Sequence, residues 1–376
     1  MRILGVPAFR NRATNPYTAL LYGAMTTDGA TVNDASPRTL FGPRPDIVHI
    51  HWPEYLFSAP SLARAALHAV VFVAVLSWLR AGRASVVWTV HNLESHDVHH
   101  RRLGGAMWGW FARRVDGVIS LSGSGLEAAL ARFPALADRP GFVIPHDHYR
   151  GAYPDQIDRD TAREGLSLPR DAAVVCFFGA IRPYKGVPAL IDVFRQVPAD
   201  DWRLVVAGHP GDVDVRDSLR DRAAGDGRIR LDLGFVEPDR VQGYFRAADL
   251  LVFPYREVLN SGSALLALSF GRPVLVPALG AMADLRDIAG DDWVRTYDGP
   301  LSVETLIGAM AWAASTPRDP RPPLDGRGGE AVAGQTRAAY EAVLRLPASA
   351  PRRPAARRAR PGSGPLVEPG AGLASG

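Results

Sequence analysis

The feature that most constrains this chain is a rhythm. Short, continuously apolar runs alternate with longer amphipathic stretches, and the series occurs twice. The first series has its runs at 2–6, 46–50, 85–90, 117–120 and 141–144, and the second at 173–178, 203–207, 229–233, 250–253 and 273–276. Runs that are apolar throughout, rather than alternating, read as strands buried on both faces, which is how parallel sheets covered by helices look in sequence. Helical patterns fall between them, at 16–27, 187–196 and 261–270 among others. Two such series predict an α/β chain of two doubly wound, Rossmann-like domains facing across a cleft. The polar stretch 148–169 reads as a linker, which sets the domains at 1–147 and 170–346. The last amphipathic segment, 330–346, is expected to cross back onto the first domain. Beyond it, 347–376 is rich in Pro, Arg, Gly and Ala and is expected to be disordered.

Charge and cysteine content narrow the function. The formal net charge is +4, and the tail alone holds five arginines against one acid, so the folded body is near neutral. That distribution argues against a nucleic-acid partner. The single cysteine, Cys176, permits no intrachain disulfide and suits a reducing, cytoplasmic setting. The start of the chain carries no signal-peptide pattern. The apolar run 65–79 contains His68 and is shorter than the roughly 20 residues a spanning helix needs. It reads either as a buried core helix or as an interfacial helix touching a lipid-linked acceptor. Trp108 and Trp110, with arginines nearby, read either as core or as a membrane- or glycan-facing surface.

In open α/β sheets ligands sit outside the carboxyl ends of the strands, so the loops after each strand carry the chemistry. The strongest signal is VVCFFGAIRPYKGVPALIDVF. Gly179 permits a sharp turn, Arg182 and Lys185 lie on the loop, and Gly186 opens a helix whose free N–H groups attract anions. Lys185 is the only lysine among the 43 basic residues, which suggests a position that needs a compact ammonium. This loop reads as a diphosphate site. In FPYREVLNSGSALLALSFGRPVLVP, Asn260, Ser261, Gly262 and Ser263 precede a helix. They read either as its cap or as the other half of a diphosphate clamp.

The first half is expected to hold the acceptor and, if the reaction inverts the anomeric centre, a base. Asp97 and Glu54 lead the candidates, followed by Glu94 and His96, each of which also reads as a solvated loop charge. His91 reads as a sugar or phosphate contact, or as a satisfied histidine at a strand end. The histidines are many, but no cysteine joins them and no zinc-helix pattern is present, so no metal is expected.

These motifs also carry a resemblance. FFGAIRPYKG, a VVAG strand end, GFV and FPYRE…NSGSALLALSFGRPVLVP, in that order over 173–277, resemble the C-terminal domain of GT-B-fold glycosyltransferases of the group 1 type. PAFRNRATNPYTALLY, HIHWPE and VWTVHNLESHD are similar to bacterial exopolysaccharide enzymes, including β-mannosyltransferases that act on lipid-linked glycans. The resemblance implies a hexosyltransferase of polysaccharide biosynthesis. Its co-substrate would be a nucleotide sugar, GDP-mannose being the donor suggested. It implies a glycan or lipid-linked acceptor, no further cofactor, and peripheral contact with the inner face of the cytoplasmic membrane. It also implies that Arg182 and Lys185 neutralise the leaving diphosphate. One departure stands out. Many members carry two glutamates seven residues apart, the second holding the ribose. Here Leu266 occupies that second position, and Glu257 lies one residue off the first. Ribose recognition then falls to Glu257 or to a backbone contact near Phe235. Two rival functions fit the same pattern: a sugar-nucleotide epimerase, and a non-catalytic nucleotide-sugar-binding relative.

Overall fold

A computed structural model describes residues 1–94, 100–324 and 326–346. It contains two six-stranded parallel sheets, one in each half of the chain. The first is built from β1 (Arg2–Val6), β2 (Thr31–Asp34), β3 (Ile47–Ile50), β4 (Ser85–Val90), β5 (Gly117–Ser120) and β6 (Gly141–Val143), in the order β2-β1-β3-β4-β5-β6. The second is built from β7 (Ala173–Phe178), β8 (Trp202–Gly208), β9 (Ile229–Leu233), β10 (Leu250–Val252), β11 (Val274–Pro277) and β12 (Val294–Tyr297), in the order β12-β11-β10-β7-β8-β9. Chain direction across each sheet therefore reverses once, between β1 and β3 in the first and between β7 and β10 in the second. In the second, Leu251 pairs with Cys176 across that junction.

Two strands, β2 and β12, are absent from the apolar rhythm of the sequence. Both are edge strands, and both are only partly buried. TVND and VRTY carry polar residues because one flank of each faces water, so neither reads as a continuous apolar run.

The helices of the first domain are α1 (Tyr17–Thr27), α2 (Pro37–Leu40), α3 (Leu62–Ala81), α4 (Arg101–Ala112) and α5 (Gly123–Arg132). Helix α3 is longer than its apolar run, at 20 residues with a mean hydropathy of 1.9, long and apolar enough to cross a bilayer. Ala65, Ala69, Phe72, Leu76 and Leu79, at helical spacing, bury one stripe of it against the sheet, while Leu67, Val70, Val71 and Trp78 stay exposed. Trp108 is in the core, stacked on Phe133, and Trp110 lies under the guanidinium of Arg114 at 3.9 Å.

The stretch 148–169 is more than a linker. It contains α6 (Arg159–Gly165), whose first turn is capped by the Asp158 carboxylate accepting from the Thr161 N–H at 2.8 Å. Arg163 of α6 is fully buried, donates to the carbonyls of Ala247 and Ala172, and pairs with Asp249 at 2.8 Å. These bonds tie the segment to the second domain. That domain continues with α7 (Val187–Phe194), α8 (Val213–Ala223), α9 (Val241–Ala247), α10 (Gly262–Ser269), α11 (Ala281–Ala289) and α12 (Val303–Ser315). The last helix, α13 (Gly329–Leu344), packs on the first domain instead. Its Val332, Tyr340 and Val343 share a core cluster with Ile3, Leu21 and Ile47.

Candidate functional site

The loop after β4 of the first domain meets the loops after β7 and β10 of the second across a cleft. In the second domain the loops after β7 and β10 meet. The backbone N–H of Arg256 donates to the Tyr184 carbonyl at 2.7 Å. Gly186 (φ 67°) lies so close to the Pro254 carbonyl that a β-carbon would collide with it. A β-carbon on Gly179 (φ 130°) would stand 2.5 Å from Ser263 Oγ and 3.8 Å from Lys185 Nζ. Gly179, Lys185 and Ser263 therefore converge on one point, which only glycine at 179 leaves open.

Lys185 Nζ lies 5.2 Å from the centre of the Tyr255 ring, and burial lowers its pKa. Among the described residues no carboxylate pairs with it. Arg182, beside it, is steadied by its own chain, donating to the Ile181 carbonyl at 3.0 Å. A partly buried ammonium without a counterion is stabilised when an anion arrives. Ser261 caps α10, its hydroxyl accepting from the Ala264 N–H at 3.2 Å, so both the cap and the open helix N-terminus are present. Gly262 sits against Tyr149, and the Asn260 side chain reaches across the cleft to the Val90 carbonyl at 3.4 Å.

Leu266 is 5% exposed, inside the core, and its hydrocarbon side chain offers no hydrogen bond. Glu257 is exposed and lines the cleft. Phe235 is 50% exposed in the loop after the edge strand β9, two strands from β7. At about 4.8 Å per strand it stands roughly 10 Å to the side of the cationic loop.

The first domain contributes three features. Between the domains, His91, Asn92, Glu94 and Arg132 face Tyr184, Glu257 and Asn260 across an opening of about 580 Å³. At the β1/β3 reversal a second pocket of about 600 Å³ is lined by Arg10, Asn11, Asn15, Asp34, Trp52 and Tyr55, with apolar neighbours. The Asp34 carboxylate shapes its rim by accepting from the N–H groups of Ala8 and Phe9 at 2.7 and 2.9 Å.

The third feature is a buried chain of hydrogen bonds. Tyr340 of α13 bonds His49 Nδ1 at 2.6 Å, and Tyr22 bridges His49 and His51 at 2.9 and 2.8 Å. His51 reaches His91 at 3.2 Å, and His91 stacks on Trp52 with ring centres 4.5 Å apart. Burial lowers every histidine in this chain, His49 to about 3, and His146 alongside Tyr17 to about 4. These rings are neutral at physiological pH.

Glu54 sits in the turn after β3 and is 2% exposed. Its Oε1 accepts from Asn92 Nδ2 at 2.7 Å, and its Oε2 has no side-chain partner among the described residues. Burial raises its pKa to about 7. Glu94, by contrast, is an exposed partner of Arg132 at 3.4 Å, a solvated pair of little energetic consequence. Asp97 and His96 lie outside the described residues. Among the described residues no three His, Cys, Asp or Glu side chains gather into a metal-binding group.

Reading the sequence did not single out Arg10, Asp34, Tyr55 or Tyr255. Arg10 and Tyr55 follow strands that were visible, so the carboxyl-end rule would have found them. Asp34 ends the unseen edge strand β2, and Tyr255 in FPYRE was passed over for its charged neighbours.

Two doubly wound domains, one presenting a cationic loop to the cleft and the other a neutral polar pocket, define a GT-B glycosyltransferase. The family described as "Glycosyl transferases group 1" matches residues 172–305. The GDP-mannose:glycolipid 4-beta-D-mannosyltransferase of Xanthomonas campestris pv. campestris is 33% identical over 320 residues, covering 84% of this chain and 85% of that one. The chain belongs to the group 1 glycosyltransferases. The lipopolysaccharide core biosynthesis mannosyltransferase LpsB of Rhizobium meliloti (strain 1021) is 28% identical over 223 residues, covering 57% of this chain and 60% of that one. Among solved structures, Anabaena HepE in complex with UDP and glucose superposes with a TM-score of 0.60 at 16% identity, covering 92% of this chain and 97% of that one. Sucrose-phosphate synthase from Thermosynechococcus elongatus superposes with a TM-score of 0.59 at 17% identity, covering 92% and 96%. These two likenesses speak for the fold.

Proposed function

We propose that the chain transfers mannose from GDP-mannose to the glycan of a glycolipid acceptor, as a peripheral enzyme on the cytoplasmic side of a membrane. The observation that carries the donor half is Lys185, a partly buried ammonium with no carboxylate partner among the described residues. Beside it stand Arg182 and the N-terminus of α10. A diphosphate supplies the missing negative charge, and Arg182, Lys185, Ser263 and the backbone around Asn260, Ser261 and Gly262 would surround it. Phe235 is the aromatic offered to the base, and Glu257 is the carboxylate nearest to a ribose role. The named Xanthomonas relative supports mannose, the guanosine nucleotide and the glycolipid. The exposed apolar side of α3 supports the membrane surface.

A β-linked product from an α-linked sugar diphosphate inverts the anomeric carbon. The acceptor hydroxyl attacks that carbon as the bond to the diphosphate oxygen breaks, and its proton passes to a base. Glu54 is that base in this reading. A carboxyl poised near 7, with one oxygen unpartnered among the described residues, is matched to proton transfer at neutral pH. The diphosphate leaves with its negative charge held by Arg182 and Lys185.

The experiment is a melting-temperature panel with GDP, UDP, ADP and dTDP, followed by release of GDP from GDP-mannose with and without a bacterial glycolipid extract. Stabilisation by GDP alone, and release that depends on the extract, is the expected result. Stabilisation by UDP in place of GDP would overturn the donor assignment, and release without acceptor would overturn the transfer.

A further inference from the structure

The strand order β2-β1-β3 forces the connection from β2 to β3 to cross over β1. A doubly wound domain normally covers such a crossing with a full helix. Here the crossing contains only α2, four residues long. One turn cannot cover a sheet face, and an apolar groove of about 400 Å³ is left beside α3. Its floor is Leu4, Val6, Val48 and Ile50. Its wall is the side of α3 that carries Leu67, Val71 and Val75, the first two of them more than half exposed.

Two observations say what fits there. The groove shares Val6, Ala35, Tyr55 and Leu56 with the polar pocket at the β1/β3 reversal, so the two form one continuous depression, polar at the cleft end and apolar beyond. Near the other end, where Leu40 and Leu79 line the groove, Phe41 (83% exposed) and Trp78 stand with ring centres 5.8 Å apart on open surface. Exposed aromatic pairs of this kind suit a membrane–water interface. A ligand that spans this depression has a polar head and a hydrocarbon tail.

Resting on the glycolipid reading above, we infer that this groove is a binding site for the alkyl or isoprenoid chain of the acceptor, drawn out of the membrane past Phe41 and Trp78, with the glycan in the pocket of Arg10, Asp34 and Trp52. The chain then lies inside the protein, between α3 and the sheet, and α3 serves as the wall of a site as well as a surface for adsorption. The short α2 is what opens the space.

The test uses the full-length chain and farnesyl phosphate bearing a diazirine at its tail. Saturable photolabelling should map to peptides containing Leu4–Val6, Val48–Ile50 or Val71–Val75. Val71→Arg places a charge in the groove and should reduce labelling about tenfold. Val70→Arg, on the same helix but outside the groove lining, should leave it within about twofold, because an exposed cation is not desolvated. Equal losses in the two variants, or label confined to the outer side of α3, would show surface adsorption and overturn the site. Should Val71→Arg perturb the fold, Val75→Ser is the milder variant, and the labelling map of the unaltered chain decides independently. Labelling needs no nucleotide. A chain that takes the probe in the groove but is not stabilised by GDP would therefore refute the donor reading and leave the groove standing.

Discussion

The two domains solve the same topological problem differently. Both are six-stranded parallel sheets with one reversal. In the second, the reversal lies between the first and fourth strands of the domain, and in the first it lies between the first and third. Each reversal opens a crevice, and the crevices are lined with different chemistry. The second is cationic, with Arg182 and Lys185 held by glycines that allow close backbone approach. The first carries both Arg10 and Asp34 on its lining, and the same domain holds the buried neutral histidines, tyrosines and a carboxyl whose pKa is near 7. On the proposed function, a sugar nucleotide brings charge to one side, and an acceptor hydroxyl brings a proton to the other. The comparison teaches that one architecture assigns these tasks through which loops its strand order brings together.

The largest expected effect tests the neutral side. Glu54→Gln keeps the shape and the contact with Asn92 but removes the proton acceptor, and turnover should fall by roughly 10²–10⁴-fold. GDP affinity should not change, because Glu54 belongs to the first domain and the cationic loop to the second. A fall in GDP affinity equal to the fall in rate would break the division of labour. In the unaltered enzyme the rate should rise with pH through about 7, as Glu54 loses its proton.

The cationic side should respond in the opposite manner. Arg182→Ala and Lys185→Ala should each weaken GDP by about ten- to a hundredfold, the value of a charge-assisted hydrogen bond. Titration calorimetry measures this directly. Normal affinity in both variants would remove the diphosphate from this loop.

How much of this was legible follows from burial. Central strands such as β4 and β7 were readable to the residue, since SVVWTV and AVVCFF are buried on both faces and carry nothing else. Of the four edge strands, β6 and β9 were readable, but β2 and β12 were not, because TVND and VRTY carry polar residues toward water. The cationic loop after β7 was legible through Gly179 and Lys185, where backbone geometry and a lone lysine both leave marks in the sequence. The hydrogen-bonded chain from Tyr340 to His91 was not, because its members come from α1, α13 and the ends of β3 and β4 and meet only in three dimensions. The groove beside α3 was hidden for a related reason: it is made by the shortness of α2, and a missing helix leaves no motif.

The last effect concerns stability, not turnover or affinity, and it falls on one domain. His49, His51, His91 and His146 all titrate below their ordinary value of 6.5 because burial opposes their charging. The unfolded chain therefore binds more protons than the folded one below pH 6.5, and their contribution to stability, complete above that value, is lost as pH falls. Glu54 and Asp147 work the other way. Burial raises both to about 7 from ordinary values of 4.5 and 3.8, so the folded form holds their protons longer and their contribution declines as pH rises through that window. Between pH 5 and 6, four histidines oppose two acids, and unfolding should take up about two protons net, a slope of roughly 3 kcal/mol per pH unit. The one histidine within 170–346, His209, is exposed. Hydrogen exchange compared at pH 5.5 and 7.5 should therefore show amides of β3 and β4 losing protection first, while β7 and β8 hold theirs. Glu54→Gln removes one opposing group and should steepen the slope by about half. Equal loss across both sheets would mean that the domains unfold as one unit and that the acid sensitivity is not local to the histidine chain.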